Sequence, residues 1–510
     1  MIVAPVRIRR GIGVDVGAAL NLVGALVRYL ALAFLFPAAI AVGYKEPAWP
    51  FLAAGAITAG LGWGLEAATQ GKERVGVREG FLVVALTWLL VAAVGALPFL
   101  LADEPQLESP VNAYFESMSG FTTTGASVLT DVEALSHSLA MWRQFTQWLG
   151  GMGIIVLALA VLPRLRVGGR QLMESELPGP ELEALATSIR DTARRLWSVY
   201  VGLTVLQIVV LALLGWTGVD GEMSFFEAVA HTFTTMPTGG FSTEARSIEA
   251  FGASSQWTIA AFMFLAGANF ALMYRALVRR SPGVFPRDEE FRLYLGLLVL
   301  GSVVLLAELL HVGLYRGEEA VRHSVFQAVS IMTTTGFSSV DFSEWTSVAP
   351  LAVMVLVTLM FVGGSAGSTA GSLKVVRHLL IGKILGRELD QTLHPEVVAP
   401  IRLNRRAVDE RTVRAVISFV LLYVGLFVVG AILLVVDSTR AGVPVSHFEA
   451  IAAAATTLGN VGPALGFAGP IGSYESFSDA SKGIMIALMW LGRLELVPVI
   501  VLFTRAYWRA

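Results

Sequence analysis

The stretch Phe115-Glu116-Ser117-Met118-Ser119-Gly120-Phe121-Thr122-Thr123-Thr124-Gly125 runs through a short helix-compatible segment into a polar, glycine-ended tripeptide, and it lies between two long apolar segments. The arrangement recurs at Pro237-Thr238-Gly239, Thr334-Thr335-Gly336 and Asn460-Val461-Gly462. One such tripeptide reads as a surface turn. Four of them, each beside membrane-length apolar segments, read instead as backbones that meet in a pore. Carbonyl oxygens from loops around one axis replace the hydration shell of a cation. Glycine supplies the φ > 0 conformations needed to turn a carbonyl toward that axis, and threonine adds a hydroxyl oxygen. The tripeptides carry no carboxylate, which argues against a tight divalent site.

Composition agrees with a membrane setting. Of 510 residues, 55% are hydrophobic and 15% charged, where soluble domains carry about a quarter charged residues. The net charge of -2 gives no sign of nucleic acid as a partner, because the charges are segregated along the chain. The sequence has no cysteine, which excludes disulfides and thiolate chemistry. Its seven histidines are scattered, without metal-ligand spacing such as H-E-x-x-H. Residues 1–10 are basic, and the long apolar run after them has no small-residue cleavage site, so it reads as a retained span.

A membrane helix needs roughly 20 apolar residues. Segments 22–43, 48–68, 80–101, 138–162, 196–216, 256–278, 291–313, 347–367, 412–436 and 482–504 meet this requirement. The expected fold is therefore an all-α membrane protein with about ten transmembrane helices. Lys and Arg concentrate on alternate loops, among them Arg78, Arg166, Arg287, Arg387 and Arg405, while Glu104, Asp220, Glu318 and Asp437 lie on the others. The positive-inside rule then puts both termini in the cytoplasm and the four tripeptides outside.

After two leading spans, the order span, half-length segment, tripeptide, span repeats four times. Thirteen residues before each glycine stand Asn112, Phe226, His323 and Glu449, where a short helix can open. Such a helix is too short to cross and must be re-entrant. Four repeats in one chain suggest a pseudo-fourfold ring. The expected division is 1–76, two extra spans; 77–168, repeat one; 169–195, a polar linker and interfacial helix; 196–285, repeat two; 286–390, repeat three; and 391–510, repeat four.

Two further features carry chemistry. The run Gly363-Gly364-Ser365-Ala366-Gly367-Ser368-Thr369-Ala370-Gly371 sits in the eighth apolar segment. Glycine inside a helix costs about 1 kcal/mol relative to alanine, so the run either breaks the helix or packs closely on a neighbour. Arg493 lies in the last span, where charges are rare and face a cavity or a partner. Glu495, two residues on, does not share its helix face. Lys374 and Arg377 read as cytoplasmic anchors. Glu116, Glu227, Gln327 and Glu449 fall in the half-length segments, as backbone hydrogen-bond partners or as attractors for cations.

The quoted stretches, with Thr238-Gly239-Gly240-Phe241-Ser242, Met332-Thr333-Thr334-Thr335-Gly336-Phe337, Asn460-Val461-Gly462-Pro463, the run 363–371 and Gly492-Arg493-Leu494-Glu495-Leu496, resemble the TrkH branch of the Trk/Ktr/HKT superfamily of potassium transport proteins across nearly the whole chain. Ala464 stands where the family commonly has a further glycine. The resemblance implies that the residues before each glycine supply filter carbonyls for K+ as the transported ion, and that glycine at all four positions goes with potassium selectivity. It implies that segment 363–372, with Gly363, Gly364, Gly367 and Gly371, forms an intramembrane gating loop beside Arg493. It further implies a homodimer in the bacterial plasma membrane under a cytoplasmic, TrkA-type ring of nucleotide-binding subunits, and no cofactor in this chain.

Three other readings are weaker. In the related HKT proteins a serine in place of the first filter glycine accompanies sodium selectivity, and Gly125 argues against a sodium-coupled or sodium-permeable transporter. An intramembrane enzyme would need clustered catalytic groups within the spans, and the sequence offers no Ser-Lys, His-Asp or metal constellation there. A purely structural protein leaves the four glycine loops unexplained.

Overall fold

The computed structural model describes residues 14–70, 76–153, 189–278, 280–396 and 399–509. The basic N-terminus, most of the linker expected at 169–195 and the second half of the span expected at 138–162 lie outside the described residues. The described chain is mostly helical, with one short strand pair, Arg402–Leu403 against Arg406–Ala407.

Among the described residues, six helices are long and apolar enough to cross a membrane: Val16–Tyr44, Trp49–Ala68, Val77–Leu101, Ala193–Trp216, Glu289–Val312 and Glu410–Ala441. Each covers one of the segments expected from hydropathy. The Gly- and Ala-rich second helix packs on the first through Gly62 and Gly24. A Cβ on Gly62 would lie 2.6 Å from Arg28 N, and one on Gly24 would lie 2.8 Å from Gly62 O, the close approach that small residues allow between membrane helices. Glu66, the charge within that helix, pairs with Arg28 at 3.2 Å.

Three further apolar segments differ from continuous spans. Ala253–Ala266 and Phe270–Leu277 meet at a bend of 102°, and Asp479–Arg493 and Val497–Phe503 meet at 113°. The first break follows from Asn269, whose side chain accepts from Ala271 N and Leu272 N and so starts a new helix where the old one should continue. The eighth segment holds only a ten-residue helix, Pro350–Leu359, before its glycine run.

The four half-length helices are present: Pro110–Phe121, Phe225–Thr235, Gly317–Met332 and His447–Gly459. Ser224 and Ser446 cap the second and fourth, and Glu449 closes a capping box with Ser446. The third begins six residues before His323, with Glu318 and Glu319 in its first turn, where carboxylates suit the helix dipole.

Candidate functional site

Each half-length helix runs into its tripeptide through a shared backbone shape. Thr123, Thr334 and Asn460 have φ of 52°, 58° and 53°, and two residues later Gly125, Gly336 and Gly462 have φ of 82°, 83° and 108°. In the second loop the matching pair is Thr238 at 56° and Gly240 at 78°. The equivalent tripeptide is thus Thr238-Gly239-Gly240, one residue later than Pro237-Thr238-Gly239. Two adjacent glycines hid the register, and only the second takes the left-handed conformation.

The loops touch one another in chain order. A Cβ added to Gly125 would lie 2.2 Å from Gly239 O, one on Gly240 2.0 Å from Thr335 O, one on Gly336 2.0 Å from Val461 O, and one on Gly462 2.7 Å from Thr124 O. The contacts pass from loop one to two, two to three, three to four, and from four back to one. All four glycines, Gly125, Gly240, Gly336 and Gly462, line one cavity of about 70 Å³, together with Ser127, Ser242 and Tyr474.

Buried polar side chains hold these loops from behind. Arg143 is 3% exposed, donates to Glu116 Oε1 at 2.5 Å and Ser242 O at 2.8 Å, and lies 3.6 Å over the Phe241 ring. Gln147 donates to Gly239 O at 2.7 Å and accepts from Phe241 N at 3.2 Å. Asn460 donates to Thr124 Oγ1 and to Met489 O, both at 3.0 Å. Sequence reading missed Arg143 and Gln147, because they sit on His137–Gly151, a helix read only for its apolar residues.

The glycine run is irregular from Met360 to Lys374, with Gly363 at φ 73° and Gly367 at 72°. It therefore breaks the helix, one of the two readings the residues left open. Its backbone is tied to the bent helix pair: Ser365 N donates to Gly267 O at 2.9 Å, and Phe270 N donates to Gly367 O at 3.1 Å. Its far end reaches the third tripeptide, where Gly371 N donates to Thr334 Oγ1 at 2.7 Å. A Cβ on Gly371 would lie 2.4 Å from Gly459 O, so the run fits against the fourth loop only without a side chain.

Arg493 donates to Thr369 O and to Gly150 O, each at 3.0 Å, and to Gly151 O at 3.3 Å. It thereby bridges the glycine run to the end of the helix His137–Gly151. A cavity of about 40 Å³ lies between Arg493, the run and Trp88. Lys374 and Arg377 differ from exposed anchors: both are buried. Lys374 donates to Ala370 O, and Arg377 pairs with Glu495 and stacks 3.9 Å over Phe419. Charge bias alone gave no hint of Arg377–Glu495, since the partners are far apart in sequence.

Apolar helices of spanning length, short helices that stop at inward-packed glycine loops, and a broken segment beneath them define a class: multi-pass membrane proteins that move an ion. A family model described as TrkH: Cation transport protein matches residues 50–509. The chain is 38% identical over 497 residues to the Trk system potassium uptake protein TrkH of Escherichia coli K12, covering 96% of this chain and 98% of that protein. It is 37% identical over 495 residues to the protein of that name from Halomonas elongata, again covering 96% and 98%. The crystal structure of the potassium transporter TrkH from Vibrio parahaemolyticus superposes with a TM-score of 0.84 at 33% identity, covering 97% of this chain and 100% of that one. The chain belongs to the TrkH cation transport family and is a transporter, not an enzyme.

Proposed function

We propose that this protein carries potassium across the bacterial plasma membrane through a selectivity filter made by its four glycine-ended loops. The observation that carries the reading is the cyclic contact of each loop glycine with the carbonyl of the next loop. Such a ring is pseudo-fourfold and sets backbone and threonine oxygens around one axis, neutral ligands that bind a monovalent cation yet release it. The potassium-uptake names of relatives across 96% of the chain support the choice of ion. The filter residues are Thr123, Thr124 and Gly125; Thr238, Gly239 and Gly240, with Pro237 at the turn before them; Thr334, Thr335 and Gly336; and Asn460, Val461 and Gly462.

In this reading the chain crosses the membrane about ten times, with both termini cytoplasmic, and the bent pairs are spans of that set. The segment 363–372 is the gate, held under the filter by Gly371 and Arg493. It opens when a cytoplasmic nucleotide-binding ring of TrkA type pulls on the helix Val375–Leu393 that continues it, and two copies of the chain form the membrane unit. Growth of uptake-deficient bacteria at low potassium tests the transport reading. Expression of the chain restores growth, and failure to do so with the protein correctly inserted overturns it.

A further inference from the structure

The residue nine positions before each loop glycine and the residue two positions after it form a repeated pair: Glu116 and Ser127, His231 and Ser242, Gln327 and Ser338, Ala453 and Ala464. In the first three loops the pair is hydrogen-bonded behind the backbone turn. Ser127 Oγ donates to Glu116 Oε1, His231 Nε2 meets Ser242 Oγ, and Gln327 Nε2 donates to Ser338 Oγ, each at 2.9 Å. The chemistry differs from loop to loop, but the geometry is kept. In the fourth loop both members are alanine and cannot make the bond.

The fourth loop also departs from the others in shape. Gly462 has φ 108° against 78–83° for its counterparts, and a Cβ added to it would lie 2.7 Å from the neighbouring carbonyl oxygen, where the other three would lie at 2.0–2.2 Å. A different side chain holds this quarter. Tyr474, 2% exposed, donates its hydroxyl to Gly462 O at 2.8 Å, while its backbone N–H donates to Ser127 O at 2.8 Å. One residue thus grips loop four by its side chain and loop one by its backbone, at the junction where an added Cβ would be least crowded.

We propose that Tyr474 is a positioning residue for ion selection, standing in for the bond between short helix and serine that loop four lacks. This rests on the reading of the four loops as a potassium filter. A loop without a brace behind it relaxes around a smaller ion, so its carbonyls discriminate less between potassium and sodium. With its hydroxyl Tyr474 fixes one carbonyl of that loop, and with its N–H it keeps the loop in register with loop one.

The test is the ratio of potassium to sodium flux into proteoliposomes holding the full chain. Tyr474→Phe removes only the hydroxyl and keeps the ring in its pocket, so the variant is expected to carry potassium with a ratio lowered about fivefold, what one buried hydrogen bond is worth. A merely structural role would scale both fluxes together and leave the ratio in place. Ser338→Ala, which removes the brace of loop three, lowers the ratio similarly, and Gln327→His, which copies the pair of loop two, keeps it. A wild-type ratio in Tyr474→Phe overturns the proposal while leaving the filter reading intact. A wild-type protein that does not favour potassium overturns both.

Discussion

A methyl group on Gly125 would meet Gly239 O at 2.2 Å, and the residue holds φ at 82°. The contact leaves no room for a side chain without rearrangement, and the left-handed conformation adds about 1–2 kcal/mol for an L-residue. Gly125→Ser is therefore expected to displace a carbonyl of the neighbouring loop and weaken discrimination against sodium in flux assays. An unchanged ratio would count against the filter assignment. Arg143 and Glu116 pose a different problem, a charge pair buried behind the first loop. Removing one partner strands the other, so Glu116→Ala is expected to destabilise the protein by about 3–5 kcal/mol, and adding Arg143→Met to recover much of that loss. Thermal unfolding in detergent measures both, and a double variant that loses as much as the two single variants added together would mean the pair is not coupled. At this scale the glycines were legible because few residues tolerate their conformation. The supports behind them were not: Gln147 meets Gly239 O from another helix, and His231 looks like any scattered histidine until the offset from Gly240 aligns it with Glu116 and Gln327. That offset, together with the serine two residues past each of the first three glycines, was the signal available in the sequence.

At the scale of elements, the breaks matter more than the helices. Asn269 and the run from Gly363 turn two apolar segments away from the straight path that hydropathy predicts, and the last span bends at Leu494–Leu496, where Glu495 and Leu496 hold φ of 53° and 57°. Hydropathy sums composition over a window and cannot see a cap or a left-handed residue inside it, which is why the spans were legible and their bends were not. The glycine run shows the limit from the other side: glycine content allowed either a break or close packing, and the structure has both, a broken helix whose Gly371 packs on Gly459 O. Arg493 fastens the run by Thr369 O and reaches Gly150 O and Gly151 O across the cavity. Hydrogen bonds from a charged donor are worth about 1.5–3 kcal/mol each, so Arg493→Ala is expected to release the proposed gate and raise basal flux without any cytoplasmic partner. Flux that stays at the wild-type level would make Arg493 a structural residue only.

For the molecule as a whole, the repeat is the organising fact. The chain makes four helix–loop units and sets each loop against the next and the last against the first. The repeat was visible in the sequence as four tripeptides at matched places between apolar segments, and one of the four was misplaced by one residue because Gly239 and Gly240 are adjacent. The order of contacts was not visible, since loops one and four, which touch, stand at opposite ends of the chain. The units are also unequal: the second has two glycines, the fourth has Asn460-Val461 and alanines at its brace positions. Selection is expected to depend on the shared glycines more than on the threonines. The most direct measurement is cation flux into proteoliposomes with potassium, rubidium and sodium compared in the same preparation. Potassium and rubidium are expected to pass and sodium to be held back. Sodium passing as readily as potassium would contradict the account.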